Sequence, residues 1–190
     1  ADRAAMPTIA DLSQPMLRLA GGRINPATNG PFRAVNYVGL RLKRIADGTE
    51  HAVRTPAGAK LDFAGWSPDG RRIAFTATTA SGIALWVASV ETGEASALTE
   101  PVLSATTGAP CHWMPDAAEL LCRFVAEGRG APPTASRVPA GPHVQVAEGR
   151  ASPAPTYEDL LQNADDERLF EYYFTARLGR VSVAPRAVAW

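Results

Sequence analysis

The stretch FAGWSPDGRRIAF, residues 63–75, decides how the rest of the chain is read. Its apolar positions alternate: Ala64 and Trp66 fall on one face of a first run, and Ile73, Phe75 and Ala77 on one face of the next. A period of two is the spacing of a half-buried β-strand. Between the runs, Pro68 fixes one backbone angle and Asp69-Gly70 suits the left-handed angles of a tight turn. The stretch therefore predicts a two-stranded antiparallel ribbon.

The pattern continues on both sides. Residues 80–82, ASG, are a second turn signal before IALWVASV, which predicts a strand with Leu85, Val87 and Val90 facing inward. ETG at 91–93 then turns the chain into a short fourth strand ending SALT, completing an antiparallel meander. Trp113, Pro115, Asp116, Leu120 and Cys122 repeat Trp66, Pro68, Asp69, Ile73 and Phe75 at a shift of 47. Upstream, a shift of 45 lays Leu40 on Leu85, Leu42 on Val87, Ile45 on Val90 and Gly48 on Gly93. A shift of 93 places LGRVSV at 178–183 over LWVASV. A repeat of about 45 residues carrying four strands is the spacing of a β-propeller blade.

The expected fold is accordingly all-β: a partial propeller of about two and a half four-stranded antiparallel blades with a helical insertion. Residues 1–34 form an irregular insertion, 35–55 the last two strands of one blade and 61–99 a whole blade. Residues 109–190 form a third blade interrupted by an insertion at 127–169. Connections after second strands leave one rim, so both insertions are expected on the same side. In the later one, Thr156 with Asp159 resembles a capping box, and Tyr157, Leu160, Leu161, Leu169 and Phe170 predict a helix interrupted near NADDE. Faces around Trp66 and Phe75, or around Trp113 and Leu120, would lack a neighbouring blade, which predicts self-association.

Composition narrows the function classes. With 46% hydrophobic residues the 190-residue chain can bury a core. Nineteen basic residues balance nineteen acidic ones, so no charge excess points to nucleic acid or an anionic membrane. No apolar run reaches membrane-spanning length, and Asp2 and Asp11 interrupt the region where a signal peptide would lie. The three histidines, His51, His112 and His143, do not share metal-ligand spacing, and neither a metal nor a cofactor is expected.

WSPDGRRIAF followed by LWVASVETGEASALT resembles the propeller repeats of the prolyl oligopeptidase family of serine peptidases, repeats also found in Tol-associated periplasmic propellers. LRLAGGRINPATNGPFR at 17–33, GRGAPP at 128–133 and TYEDLLQNADDERLFEYY at 156–173 resemble the glutamyl endopeptidase branch, known from chloroplasts and bacteria. Gly22, where a larger apolar residue is expected, and APR at 184–186 depart from that pattern. The resemblance implies a periplasmic, secreted or organellar serine peptidase in which a propeller restricts entry to an α/β-hydrolase domain. No G-x-S-x-G nucleophile elbow occurs in this sequence, so catalytic residues are not assigned to it. The implied partners are that hydrolase domain, further blades and peptide substrates. The alternative is a free-standing propeller that binds another protein.

Four arginines are candidates for holding an acidic side chain, because a guanidinium fork matches a carboxylate: Arg18, Arg23, Arg33 and Arg129. Cys111 and Cys122 would face each other across the second ribbon if Asp116 and Ala117 close it as Asp69 and Gly70 close the first. They form either a disulfide or two buried thiols.

Overall fold

The computed structural model describes residues 1–3, 6–32, 37–134 and 160–190. Fifteen strands and two helices are assigned among them. In chain order the first part comprises β1 (Asp2–Arg3), α1 (Ile9–Leu12), β2 (Leu17–Leu19), β3 (Gly22–Asn25), β4 (Gly30–Pro31), β5 (Tyr37–Gly39), β6 (Arg41–Lys43) and β7 (Glu50–Ala52). A meander follows: β8 (Lys60–Trp66), β9 (Arg72–Thr79), β10 (Gly82–Ser89) and β11 (Ala95–Ala97). Last come β12 (Cys111–Trp113), β13 (Glu119–Val125), α2 (Ala164–Phe174), β14 (Ala176–Ser182) and β15 (Ala187–Ala189).

The fold is mainly β-sheet. One sheet has the order β1-β5-β8-β9-β10-β11 and another β12-β13-β14-β15, all antiparallel. A separate β6-β7 ribbon packs on the first meander. Leu40, Leu42 and Val53 from the ribbon region meet Leu61, Ile73 and Phe75 from the meander. The opposite face of that meander presents Ala74, Ile83, Leu85 and Val87 to Leu120, Cys122, Phe124 and Val181 of the second. Alternation along β9 thus feeds two cores, and Phe75 is completely buried.

Repeated sequence gives repeated hydrogen bonds. In the first hairpin the Ser67 N–H donates to the Arg72 carbonyl and the Gly70 N–H to the Ser67 carbonyl; Met114, Glu119 and Ala117 reproduce both bonds. Gly70 has φ +68° and Ala117 φ +58°, so the later turn places a Cβ where glycine is favoured. The upstream repeat is equally close: the Gly48 N–H donates to Arg44 as the Gly93 N–H does to Ser89, each over 2.9 Å.

Several expectations need correction. Tyr37–Gly39 joins the sheet of the first meander through Tyr37 opposite Leu61, instead of pairing within the upstream ribbon. Ile45, aligned with Val90, is 98% exposed. Trp66 is also exposed, whereas Phe75 and Leu120 are buried between layers. A bulge between Asp62 and Gly65, with Phe63 at φ +49°, interrupts the simple alternation of β8. NADDE does not interrupt a helix but starts one. The Asn163 side chain accepts from the Asp165 and Asp166 N–H groups, and three acidic residues follow in the first turn. Thr156, Tyr157 and Asp159 lie outside the described residues. A capping box is formed instead by Thr8 and Asp11 at α1.

Candidate functional site

The first segment, read from sequence as irregular, contains a three-stranded β2-β3-β4 sheet. Ala20 and Gly21 have φ values of +50° and +78°, forming a two-residue connection that sets Leu19 opposite Gly22 and Leu17 opposite Ile24. That register places the apolar side chains on one face. Leu19 and Ile24 pack with Tyr173, Phe170 and Phe174 of α2. A Cβ at Gly22 would stand 3.5 Å from the Phe174 ring and 3.3 Å from the Leu19 carbonyl. A Cβ there would make ordinary contact with the helix and press only on the carbonyl of its own ribbon.

The same register puts Arg18 directly opposite Arg23 on the other face, where both are exposed. Like charges opposed across a ladder repel, and a carboxylate shared between them offsets that repulsion. Both arginines also interact within the fold. The arrangement is chemically suited to an acidic group presented from solvent. Arg33 lies outside the described residues.

Arg129 occupies a different setting. Its Nη1 donates to Asn29 Oδ1 over 2.9 Å and to the Tyr172 carbonyl over 3.2 Å, while its guanidinium stands 4.3 Å from the centre of the Tyr172 ring. Buried Asn29 in turn donates to Ser104 Oγ over 2.8 Å and to the Tyr173 carbonyl over 3.3 Å. The Ala105 N–H completes the junction by donating to the Asn29 carbonyl. This network ties the β2-β3-β4 sheet, α2 and the connection between meanders together. Burial pushes the Tyr173 phenol up; its neighbour Tyr172 acts in the same direction and the Arg129 charge opposes it. The Asn29 network was missed in the sequence because Asn-Gly-Pro reads first as a turn. Its positive φ of +53° fits that turn, but its side chain is buried in the junction.

The remaining titratable groups are dispersed among the described residues. His51 and His112 are exposed on β7 and β12, and His143 lies outside the described residues. No group of three metal-ligating side chains is found among the described residues. Asp62, half-buried on β8, has its carboxyl pushed up by burial, against the effect of the bond from the Phe63 N–H. Asp11 is held well below the ordinary carboxylate range, first by Lys60 and then by Thr8. That ion pair joins α1 to β8.

Cys111 stands opposite Cys122 and Trp113 opposite Leu120. The two sulfurs are bonded, with Cα atoms 4.1 Å apart. Trp113 also donates its indole N–H to the Gly65 carbonyl over 3.2 Å, linking equivalent regions of the two meanders.

A protein of Oryza sativa subsp. japonica named "Probable glutamyl endopeptidase, chloroplastic" is 35% identical over an alignment spanning 93% of this chain. The chain is related to the glutamyl endopeptidases. The Arabidopsis thaliana protein of the same name is 33% identical, again over 93% of the chain. The chain spans only 20% of the length of each relative. No family model matches it. Among solved structures, Pyrococcus horikoshii acylaminoacyl peptidase aligns with 43% of this chain and 12% of its own, at 23% identity and a TM-score of 0.34.

No helix among the described residues is long and apolar enough to cross a membrane.

Proposed function

We propose that this chain is the non-catalytic β-propeller segment of a longer serine endopeptidase of the prolyl oligopeptidase type. The observation carrying this reading is its relationship to glutamyl endopeptidases over 93% of its length, although it corresponds to only 20% of theirs. The repeated turns and stacked meanders support their interpretation as propeller blades. Peptide-bond hydrolysis belongs, in this reading, to an α/β-hydrolase domain elsewhere in the polypeptide. The propeller restricts access to that domain, admitting short or unfolded peptides.

Arg18 and Arg23 contribute to acidic-substrate handling by offering two guanidinium groups on one face of the β2-β3 ribbon. Arg129 has a supporting role: it anchors α2 behind that ribbon. The decisive experiment compares the longer protein with the 190-residue chain on matched Glu and Gln peptides. The longer protein is expected to cleave after Glu, and the shorter chain to show no turnover. Arg23→Ala in the longer protein should reduce the preference for Glu by tenfold or more, corresponding to about 1.5–3 kcal/mol for a charge-assisted contact. Unchanged selectivity in both Arg18→Ala and Arg23→Ala would remove the arginine assignment. Serine-inhibitable cleavage by the shorter chain would overturn the division between segment and hydrolase.

A further inference from the structure

A second surface lies away from these arginines. Between the outer strands β11 and β15, the two meanders enclose a groove of about 530 Å³. It falls within the volume range of small-ligand sites. The outer strands are short: β11 and β15 have three residues each, whereas their neighbours β10 and β14 have eight and seven. The outer parts of the two sheets therefore do not fill the space between their longer neighbours.

The middle of the groove is apolar. Leu98 and Phe124 line it alongside Val102 and Trp190, which remain 43% and 53% exposed. Phe124 fixes the indole through an edge contact with ring centres 4.9 Å apart, and Arg177 covers a ring face at 4.0 Å. The ends differ in charge. Arg186 lies where β15 begins, donating to Ser96 Oγ over 2.9 Å. Glu100 and Glu127 line the groove beyond the ends of β11 and β13, where Arg177 stands 3.9 Å from Glu127, leaving one net negative charge at that end. Among the described residues β11 and β15 are sheet edges, which lets an extended segment approach along them.

We infer that this groove binds an extended peptide segment with an apolar centre, a basic residue at the Glu100–Glu127 end and an acidic residue at the Arg186 end. The apolar floor supplies contact area, and the opposed end charges set the direction. This surface uses different residues from the proposed acidic-substrate face.

The inference can be tested by titrating the full chain with the capped pentapeptides Lys-Leu-Phe-Ala-Glu and Glu-Ala-Phe-Leu-Lys, while following the Trp190 indole N–H by NMR. A Lys-Ser-Gly-Ser-Glu peptide serves as the apolar-free control. One of the two apolar orders should bind with Kd at or below about 1 mM and shift Trp190, while the control binds at least about tenfold more weakly. Val102→Lys, and separately Glu100→Lys with Glu127→Lys, should each weaken binding about tenfold, with unchanged circular dichroism. Binding insensitive to both variants would overturn the assignment, as would no binding by either order. Concentration-dependent Trp190 shifts without peptide would instead assign the groove to a second copy and overturn a peptide role.

Discussion

The two four-stranded meanders have similar turns but unequal surroundings. β8-β11 is covered on both faces, by the β6-β7 ribbon region and by β12-β15. The second meander buries Leu120, Cys122, Phe124 and Val181 on one face, while Leu121 and Leu178 on the other remain 39% and 59% exposed. Local chemistry specifies the meander; neighbouring layers determine what each face contributes to stability. We propose that a further layer covers this open face in the longer protein.

The largest difference should appear on substituting the buried and open faces. Phe75→Ala removes a completely buried ring between layers and should cost about 3–5 kcal/mol. Leu178→Ala should change the stability of this chain by no more than about 0.5 kcal/mol. Denaturant unfolding of both variants checks the contrast. A similarly small effect at Phe75 would break it.

The disulfide gives the second meander a restraint that the first does not have. Cys111→Ala with Cys122→Ala should cost about 2–3 kcal/mol, chiefly through release of a short loop in the unfolded chain. Thermal unfolding should move downward by a comparable amount under a thiol reductant that opens the bond. No change after verified reduction would show that the restraint is not coupled to unfolding.

A smaller effect separates the equivalent turns. Ala117→Gly should stabilise by about 0.5–1 kcal/mol because φ +58° suits glycine, less what is lost with the buried methyl. Gly70→Ala should have the opposite sign. Unfolding midpoints test the pair, and shifts of the same sign would contradict the shared turn geometry.

Acid should weaken the attachment of the first segment. The folded-state carboxyl of Asp11 lies below its unfolded value because of Lys60 and Thr8. Its stabilising effect is therefore present above the unfolded value near 3.8 and is lost as pH falls through the folded value. Asp62 has the opposite shift: burial disfavours its charged form, and lowering pH relieves that cost. Asp11→Asn should flatten the decline in stability below pH about 4, whereas Asp62→Asn should remove a gain in stability that the native chain shows as pH falls towards about 4. Melting curves between neutral and acidic pH distinguish the two.

The turns were the most legible part of the sequence because Pro-Asp-Gly and Thr-Gly impose local backbone constraints. Their repetition also revealed antiparallel meanders and placed Cys111 opposite Cys122. The Phe63 bulge carried no glycine or proline signal at the bulged residue, so the surroundings of Trp66 could not be read by alternation alone. Ile45 shared a repeat position with Val90 but not the packing that partly buries Val90. At the candidate site, arginine identity was legible, but the Arg18–Arg23 pairing required the register set by Ala20 and Gly21. Arg129's partners lie far apart in sequence, at Asn29 and Tyr172, and only the packing of α2 brings them together.

The covering layer proposed for the second meander is tested most directly by a thiol placed on its open face. With no free cysteine among the described residues, Leu178→Cys supplies a thiol on the open face that can be followed separately. Its rate of modification by a water-soluble thiol reagent should be fast in the 190-residue chain and at least about a hundredfold slower in the longer protein. Equally rapid modification in both, with the longer protein folded and active, would contradict the proposed covering layer.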